Sequence, residues 1–377
     1  MTDAKPISRE RPASLPLRIL RILATLVVGT VGAFIARDLG LPGGAFIGAI
    51  LLTAIGRLLN VPLSRPPSWA RSGGRVALGL TIGVAVTAET LRTIARAQLP
   101  VMVIIFGLMF LGLGTAVVIS RLTHMPLPTA LCGASPGALS AMVALADDLG
   151  GEGPVVASMH LVRLLSVTLL MPVIIYGRFG AAPEAVTAAA SAAVEMPSFA
   201  ALAGLLVVGL GVGLTMVRLR VPGGDLIAGV VVSALASSML GISAVPTSWR
   251  LAAQILVASD IGATMSREAL HSFRPFALAG GLMTVFLIVS GLGLGWVLAQ
   301  ISPLDLATSV MGSAPGGADT MMILAGELGG DQPLVTAMHT SRIIILTVAL
   351  PFFVRVANAR AGKRQKAAAQ PASALGE

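Results

Sequence analysis

The chain contains an internal repeat that constrains the plan of its fold. Residues 135–163 read SPGALSAMVALADDLGGEGPVVASMHLVR and align without a gap with residues 314–342, which read APGGADTMMILAGELGGDQPLVTAMHTSR. Trp69 matches Trp249 in the same order along the chain. A fold for this chain must therefore contain two halves built from the same series of segments.

Long apolar runs, separated by short loops, make up most of both halves. Apolar residues account for 55% of the chain and charged residues for only 11%, whereas soluble proteins average about 25% charged residues. So few charges cannot cover a water-facing surface, which excludes a soluble enzyme, a coiled coil and a disordered chain. Because about 20 apolar residues span a bilayer as a helix, the sequence predicts an all-α polytopic membrane protein. A β-barrel would instead require short alternating strands.

Each half is predicted to hold about five transmembrane helices and one segment interrupted by Pro and Gly. The apolar stretches cover 20–36, 43–59, 75–88, 99–120 and 154–176, then 199–217, 225–241, 252–265, 276–299 and 333–354, and the interrupted segments cover 127–149 and 304–328. If the interrupted segments re-enter the face they came from, the two halves are inverted; if they span, the halves are parallel. The inverted arrangement places more loop arginines in the cytoplasm, which the positive-inside rule favours.

The ends of the chain predict its location. The expected parts are a cytoplasmic basic tail at 1–17, a transmembrane repeat at 18–178, a linker at 179–197, a second transmembrane repeat at 198–355, and a disordered cytoplasmic tail at 356–377. Lys and Arg are enriched in both tails, as they are on the cytoplasmic side of membrane segments. We expect a multi-pass protein of the bacterial inner membrane with both termini in the cytoplasm.

The interrupted segments carry the first candidate site. The motifs are Ser135-Pro136-Gly137 in the first half and Pro315-Gly316-Gly317 in the second. Proline removes a backbone donor and glycine adopts unusual dihedrals, so both break a helix. Freed backbone groups are tolerated at membrane depth only beside a cavity or inside protein, and half-helix ends attract ions and polar solutes. The same motif would also suit an ordinary kink or a loop.

A His-x-x-Arg motif follows each interrupted segment. His160 and Arg163 belong to the first half, and His339 and Arg342 to the second. A spacing of three places both side chains on one helix face, and ionisable groups at membrane depth usually face the bundle interior. The arginine could hold a substrate anion and the histidine could accept a proton. Alternatively, the pair could simply bind the carbonyls that the interrupted segment frees.

The carboxylates differ between the halves. Asp319, which follows the second break, matches Ser140, and Asp260 in an apolar stretch matches Thr81. A lone carboxylate beside a broken helix suits coupling to a proton or sodium gradient. Asp225 matches Ala45, and an acid in the first turn of a helix can simply complement the helix dipole.

Other functional classes find little support. The chain has four histidines and one cysteine, Cys132, without the ligand clusters that metal sites need, and no Walker A motif occurs. We therefore expect no enzyme activity, no cofactor and no resident metal. The basic excess sits at chain ends and in short loops, where it sets membrane orientation, so direct nucleic-acid binding is not expected.

The repeated Pro-Gly, Leu-Gly-Gly and Met-His-x-x-Arg motifs resemble the AbrB family of bacterial membrane proteins, also called the AbrB duplication family, over about residues 18–355. Members are often labelled ammonia monooxygenase or AbrB-type regulator, although nothing here matches the soluble DNA-binding AbrB fold. The family is distantly similar to the cation/proton antiporter and anion transporter superfamily. This implies secondary transport with crossed or re-entrant broken helices, and it assigns no substrate.

Three functions are consistent with the sequence. The leading hypothesis is a secondary transporter in the lipid bilayer that moves a small solute, with Ser135, Pro136, Gly137, His160, Arg163, Asp260, Pro315, Gly316, Gly317, Asp319, His339 and Arg342 along its path. The second is a membrane protein that affects gene expression indirectly, and the least favoured is a copper-dependent ammonia monooxygenase. Substrate, coupling ion, transport direction and homo-oligomerisation stay open.

The inverted arrangement can be tested by labelling single cysteines in a Cys132→Ser background. Cysteines placed at Arg121 and Arg220 should both react from the cytoplasm, because the inverted scheme puts both loops on that side. A cysteine at Glu184 should react from outside. Reaction of the first two positions from opposite faces would instead favour parallel halves.

Overall fold

The computed structural model describes residues 15–41, 43–135, 139–179, 198–219, 221, 223–242, 244–265, 267, 271 and 274–369. Pro136 and Gly137 of the first break lie outside the described residues, as do Arg220 and almost all of the linker predicted at 179–197. The described residues form helices, turns and loops and contain no strand.

The first half of the chain forms seven described helices. They are α1 (Leu15–Asp38), α2 (Gly44–Leu58), α3 (Ser68–Gly83), α4 (Ala88–Thr123), α5 (Leu127–Ala134), α6 (Leu139–Asp148) and α7 (Gly153–Phe179). Local chemistry sets several ends. The Thr87 hydroxyl accepts from the Thr90 amide at the start of α4, and the Thr90 hydroxyl accepts from the Thr87 amide in return. Such a capping box satisfies amides that a helix start leaves free.

The second half of the chain forms seven further described helices. Its helices are α8 (Phe199–Arg218), α9 (Gly224–Leu240), α10 (Thr247–Ala263), α11 (Ala277–Ile301), α12 (Leu306–Ser313), α13 (Ala318–Glu327) and α14 (Gln332–Ala369), with a short 3-10 turn at Arg274–Phe276 before α11. Both α2 and α9 follow a glycine with positive φ, Gly43 at 62° and Gly223 at 67°. A left-handed conformation of this kind favours glycine.

Three helices differ most from the apolar segments that the sequence marks. Helix α3 begins at Ser68 and α4 at Ala88, both well before the apolar stretches at 75 and 99, because polar residues can extend a helix beyond its apolar part. Helix α14 continues to Ala369, although a disordered tail is expected from residue 356. The added residues are mainly Ala, Lys, Arg and Gln, which are strong helix formers.

The helices pack as two bundles, each drawn from both halves of the chain. The first bundle contains α1, α2, α3, α8, α9 and α10, and the second bundle contains α4 to α7 and α11 to α14. Helix α13 is the part of the second bundle that packs against the first bundle. Its Met322 and Ile323 join an apolar cluster with α2, α3 and α10, while Met321 and Leu324 join a cluster with α7, α11 and α12. The second interrupted segment is thus placed at the interface between the bundles.

Among the residues that the structure describes, five helical stretches are long and apolar enough to cross a membrane: Leu15–Asp38, Ala88–Thr123, Gly153–Ile175, Phe199–Arg218 and Arg274–Ile301. Helices α2 and α9 are apolar but shorter, with 15 and 17 residues. Many large apolar side chains of the long helices face outward, such as Val103, Val207 and Leu282. Length, composition and this outward apolar surface fit a polytopic helical membrane protein.

Glycines allow a close crossing of α3 and α9 in the first bundle. A Cβ on Gly229 of α9 would overlap the Val76 carbonyl oxygen of α3 and lie 2.9 Å from the Gly79 Cα. A Cβ on Gly79 would likewise overlap the Leu226 carbonyl oxygen. The two backbones therefore touch, as is common where small residues line a membrane helix interface.

We predict that Gly229→Ala destabilises the protein by about 1–3 kcal/mol, because overpacking forces the two backbones apart. The matched control is Gly211→Ala in α8, whose added Cβ would meet no atom within 4 Å. That change should be neutral or slightly stabilising, since alanine favours a helix by up to about 1 kcal/mol. Thermal unfolding of purified protein compares them, and equal effects of the two substitutions would contradict the close crossing.

Candidate functional site

Two helix pairs are separated by short breaks. In the second half, α12 ends at Ser313 and α13 begins at Ala318, so the break lies where Pro315-Gly316-Gly317 predicts it. In the first half, α5 ends at Ala134 and α6 begins at Leu139. Each break leaves the last carbonyls of one short helix and the first amides of the next without helical partners.

Arg342 and His339 of α14 bind the second break. The Arg342 guanidinium donates to the Ala314 carbonyl at 2.8 Å and to the Gly316 carbonyl at 3.2 Å. His339 Nε2 lies 2.9 Å from the Met311 carbonyl oxygen, and its Nδ1 lies 2.8 Å from Arg342 Nη2. A carbonyl can only accept, so Nε2 carries the hydrogen and Nδ1 accepts from the arginine. This arrangement holds the histidine in its neutral form.

Arg163 and His160 of α7 bind the first break in the same manner. His160 Nε2 lies 2.9 Å from the Cys132 carbonyl oxygen, and its Nδ1 lies 3.4 Å from Arg163 Nη2. The guanidinium donates to the Ala134 carbonyl at 3.2 Å and to the Ser135 carbonyl at 3.4 Å. These arginine bonds are longer than their counterparts in the second half, and Arg163 also reaches the Gly133 carbonyl, at 3.4 Å.

The arginines thus bind freed carbonyls, which is one of the two roles that the His-x-x-Arg motif suggests. Both guanidiniums are buried, with Arg163 exposed by 6% and Arg342 by 2%, and neither forms an ion pair with the acids of the described residues. The carbonyls accept some of the N–H bonds that each guanidinium can donate, but they do not neutralise its positive charge. Two buried positive charges therefore remain at the breaks.

Polar atoms without a partner adjoin the second break. The Thr320 hydroxyl is fully buried and makes no hydrogen bond, and the Arg342 Nε is likewise unpartnered. The Thr320 hydroxyl lies 3.4 Å from where a Cβ on Gly317 would stand, so it faces the start of α13. Buried polar groups are usually paired, which makes this pair of unsatisfied donors notable.

Asp260 of α10 belongs to a separate charge cluster. Arg65 donates to both of its carboxylate oxygens, at 2.8 and 3.0 Å, and Arg71 Nη1 lies 3.8 Å from one of them. Two-pronged arginine pairs of this kind are strong and directional. Asp260 is therefore held by arginines at the N-terminal end of α3, and it does not contact the His-x-x-Arg pairs.

Asp319 and Asp225 share a single arginine. Arg75 of α3 donates through Nε to Asp319 of α13 at 3.2 Å, and its Nη1 lies 3.6 Å from a carboxylate oxygen of Asp225 of α9. Asp225 is 3% exposed. Arg75 thus crosses from the first bundle to the helix that lies between the bundles, and this triplet carries one more negative than positive charge.

Sequence reasoning missed Arg75 as a site residue, because it counted this arginine only among the charges that set membrane orientation. With the spacing that aligns Gly83 with Gly262, Arg75 matches Gln254. One signal could have indicated this pairing: the arginine occurs only in the first half, and the acids occur only in the second. Helix α3 starts at Ser68, which places Arg75 two turns inside the helix rather than at its end.

No group of three or more His, Cys, Asp and Glu side chains that could hold a metal ion occurs in the part of the chain that the structure describes. Cys132 is buried in α5. The breaks and the Arg75 triplet are therefore the polar features from which a function can be argued.

Comparison with known proteins identifies relatives along most of the chain. The family described as "Transition state regulatory protein AbrB" matches residues 2–128 and 64–358. The Escherichia coli (strain K12) protein named "Putative regulator AbrB" is 28% identical over 332 residues, which cover 86% of this chain and 92% of that protein. The Bacillus subtilis (strain 168) protein named "Uncharacterized protein YhjN" is 22% identical over 383 residues, covering 92% of this chain and 96% of that protein.

We predict that Arg342→Met destabilises the protein more than Arg163→Met does. Each change strands buried carbonyls, at a cost of about 1–3 kcal/mol for each unsatisfied group, and the bonds of Arg342 are the shorter ones. Thermal unfolding of the two purified variants measures the difference. An equal loss, or a larger loss for Arg163→Met, would show that bond length does not rank the two breaks.

Proposed function

The chain belongs to the AbrB family, and from this premise we propose that it is a secondary transporter of the bacterial inner membrane that moves a small solute along an ion gradient. One observation carries the proposal: a broken helix held by the buried Arg342 lies at an interface between two bundles that an ion pair crosses, and the matching break in the other half is held by the buried Arg163. Discontinuous helices that frame a polar site are typical of secondary transporters.

Inverted repeats are the arrangement we propose for the two halves. Gly83 of α3 packs on the Val230 carbonyl of α9, and the matching Gly262 of α10 packs on the Ile50 carbonyl of α2. This reciprocal exchange supports a two-fold relation between the halves. The loop arginines favour inverted repeats, in which the two-fold axis lies in the membrane plane and both termini are cytoplasmic.

Asp319 is the proposed coupling residue. With Asp225 it forms a pair of carboxylates that share the one guanidinium of Arg75. Like charges in one poorly hydrated place are unfavourable, so the pair attracts a proton or a sodium ion. Asp319 is the more accessible acid, since its side chain is 18% exposed and that of Asp225 4%. The coupling ion would therefore bind at Asp319.

Ion binding at Asp319 would change how the bundles are held together. A neutralised Asp319 has less attraction for Arg75, which keeps Asp225 as its partner within the first bundle. Helix α13 then loses a tie to α3, and the second bundle can move against the first. Alternating access by movement of one bundle against another is common among transporters built from repeats.

A role in gene regulation is the second candidate, favoured by the printed names of the matching family and of the Escherichia coli relative. We propose that any such role is indirect, because the described helices are joined by short loops that leave no domain to bind DNA. Altered solute flux would then change gene expression, so a variant that cannot transport should reproduce the effect of deleting the protein.

We predict that Asp319→Asn abolishes transport or removes its dependence on the gradient, because asparagine cannot exchange a proton or attract a sodium ion as a carboxylate does. The measurement is solute uptake or efflux in proteoliposomes with an imposed pH or sodium gradient. The matched control is Glu327→Gln, which neutralises an exposed acid at the other end of α13. Ser140→Ala, at the position that matches Asp319, should have a milder effect than Asp319→Asn.

Two results would contradict the coupling role. Gradient dependence that persists in Asp319→Asn would remove this residue from the mechanism and leave Asp260 as the next candidate. An equal loss in Glu327→Gln would show that any change of charge on α13 impairs the protein, with no special role for the residue that Arg75 binds.

A further inference from the structure

The charges around the breaks do not balance. Arg163 and Arg342 are both buried and contribute about two positive charges. They bind carbonyls at the ends of α5 and α12, and a helix C-terminus offsets roughly half a charge. About one positive charge therefore remains, and the first amides of α13 add to it rather than reduce it.

The buried acids form ion pairs with other arginines and not with the arginines at the breaks. Asp260 is held by Arg65 and Arg71, and Asp225 and Asp319 are held by Arg75. Although Asp319 lies in the first turn of α13, its carboxylate is bonded to Arg75 rather than to the break. Among the described residues, the charge of the two break arginines is left without an acidic partner.

Free donors point to where a ligand would lie. The Arg342 Nε and the Thr320 hydroxyl are buried and unpartnered, and both belong to residues at the second break. Arg342 already donates to the Gly316 carbonyl, and the Thr320 hydroxyl faces Gly317, the next residue along the chain. Among the described residues, the Arg342 charge has no acidic partner, the Arg342 Nε and the Thr320 hydroxyl have no acceptor, and no side chain caps the N-terminus of α13.

The first break adds to the same site. A Cβ on Gly317 would lie 3.1 Å from the Leu164 side chain of α7, and Leu164 directly follows Arg163. Arg163 is itself buried and has no acidic partner among the described residues, so α7 brings a second uncompensated cation toward this region.

We propose that the transported solute is a small anion with a carboxylate or another oxyanion group, bound beside Gly316 and Gly317 between the two breaks. Arg342 and Thr320 donate to its oxygens, the amides at the start of α13 face it, and Arg163 balances its charge. Guanidinium geometry matches oxyanions well, and helix N-termini favour them. This inference rests on the proposed transport function and names its class of substrate.

The test is a thermal-shift titration of the purified full-length protein in detergent, at constant ionic strength. The probes are sodium acetate, sodium succinate and sodium phosphate, with mannitol as a neutral control and putrescine as a cationic one. At least one of the three anions should raise the melting temperature in a saturable manner, while mannitol and putrescine should not. If none of the three anions does so, or if putrescine does so instead, the proposal is wrong.

Variants then locate the effect. Thr320→Val should weaken binding of the effective anion about fivefold to tenfold, as expected for one lost hydrogen bond. Its melting temperature without anion should stay the same or rise, because a buried hydroxyl without a partner is removed. Anion affinity that is unchanged in Thr320→Val would overturn the placement at the second break.

A matched pair of arginine variants separates binding from structural support. Arg342→Gln should lose the response to the anion, whereas Arg57→Gln should keep it. Arg57 also donates to carbonyls, those of Leu63 and Met265, but lies away from the breaks. Equal loss of the anion response in both variants would mean that the response follows general stability, and it would overturn the site. If Arg342→Gln does not fold, Thr320→Val decides the question.

The experiment involves no gradient and no vesicle, so its failure is distinct from failure of the transport proposal. Gradient-driven uptake by a protein that binds none of the anions would overturn the anion site alone. Anion binding that depends on Thr320 and Arg342, in a protein whose uptake ignores the gradient and Asp319, would support the site and overturn the coupling.

Discussion

The bonds between buried arginines and broken-helix carbonyls are the interactions on which the rest of the structure depends. A helix that stops inside an apolar environment leaves carbonyls that water cannot reach, and each such group is costly. Arg342 and Arg163 satisfy these carbonyls, and His339 and His160 fix the orientation of each arginine. Without this bonding, neither break could stay buried and the polar region between the bundles could not form.

The charges of the protein fall into two groups with opposite imbalance. The break arginines have more positive charge than the carbonyl dipoles offset, whereas Asp225 and Asp319 share one arginine and retain excess negative charge. Excess positive charge at the breaks and excess negative charge at the two acids suit a protein that binds an anion and a cation together. Each bound ion would neutralise the excess charge at its own site. Helix α13 belongs to both places, since it begins at the second break and carries Asp319.

The sequence predicted the helical segments and the second break well, because apolar runs and Pro-Gly motifs act locally. It also brought His339 and Arg342 to that break through their spacing and their position after it. It did not predict the partner of Asp319, because the pairing with Arg75 depends on how α3 packs beside α13, 244 residues apart in sequence. Long-range packing of this kind leaves no local pattern. The helical extension to Ala369 was missed because apolar content, rather than helix propensity, was used to end the segment.

Some polar residues occur at matching positions in both halves and others in one half only, and the difference follows from the role of each residue. A break in a helix creates the same unsatisfied carbonyls wherever it occurs, so both halves need an arginine, and both have one in the same register. An ion or solute near a two-fold axis needs only one set of binding groups, because a second set would compete for the same ligand or demand a second one. Asp319, Thr320 and Arg75 have no like residue in the other half. We therefore assign the repeated carbonyl contacts to the architecture, and we propose that the unrepeated groups, together with the free Nε of Arg342, serve binding and coupling.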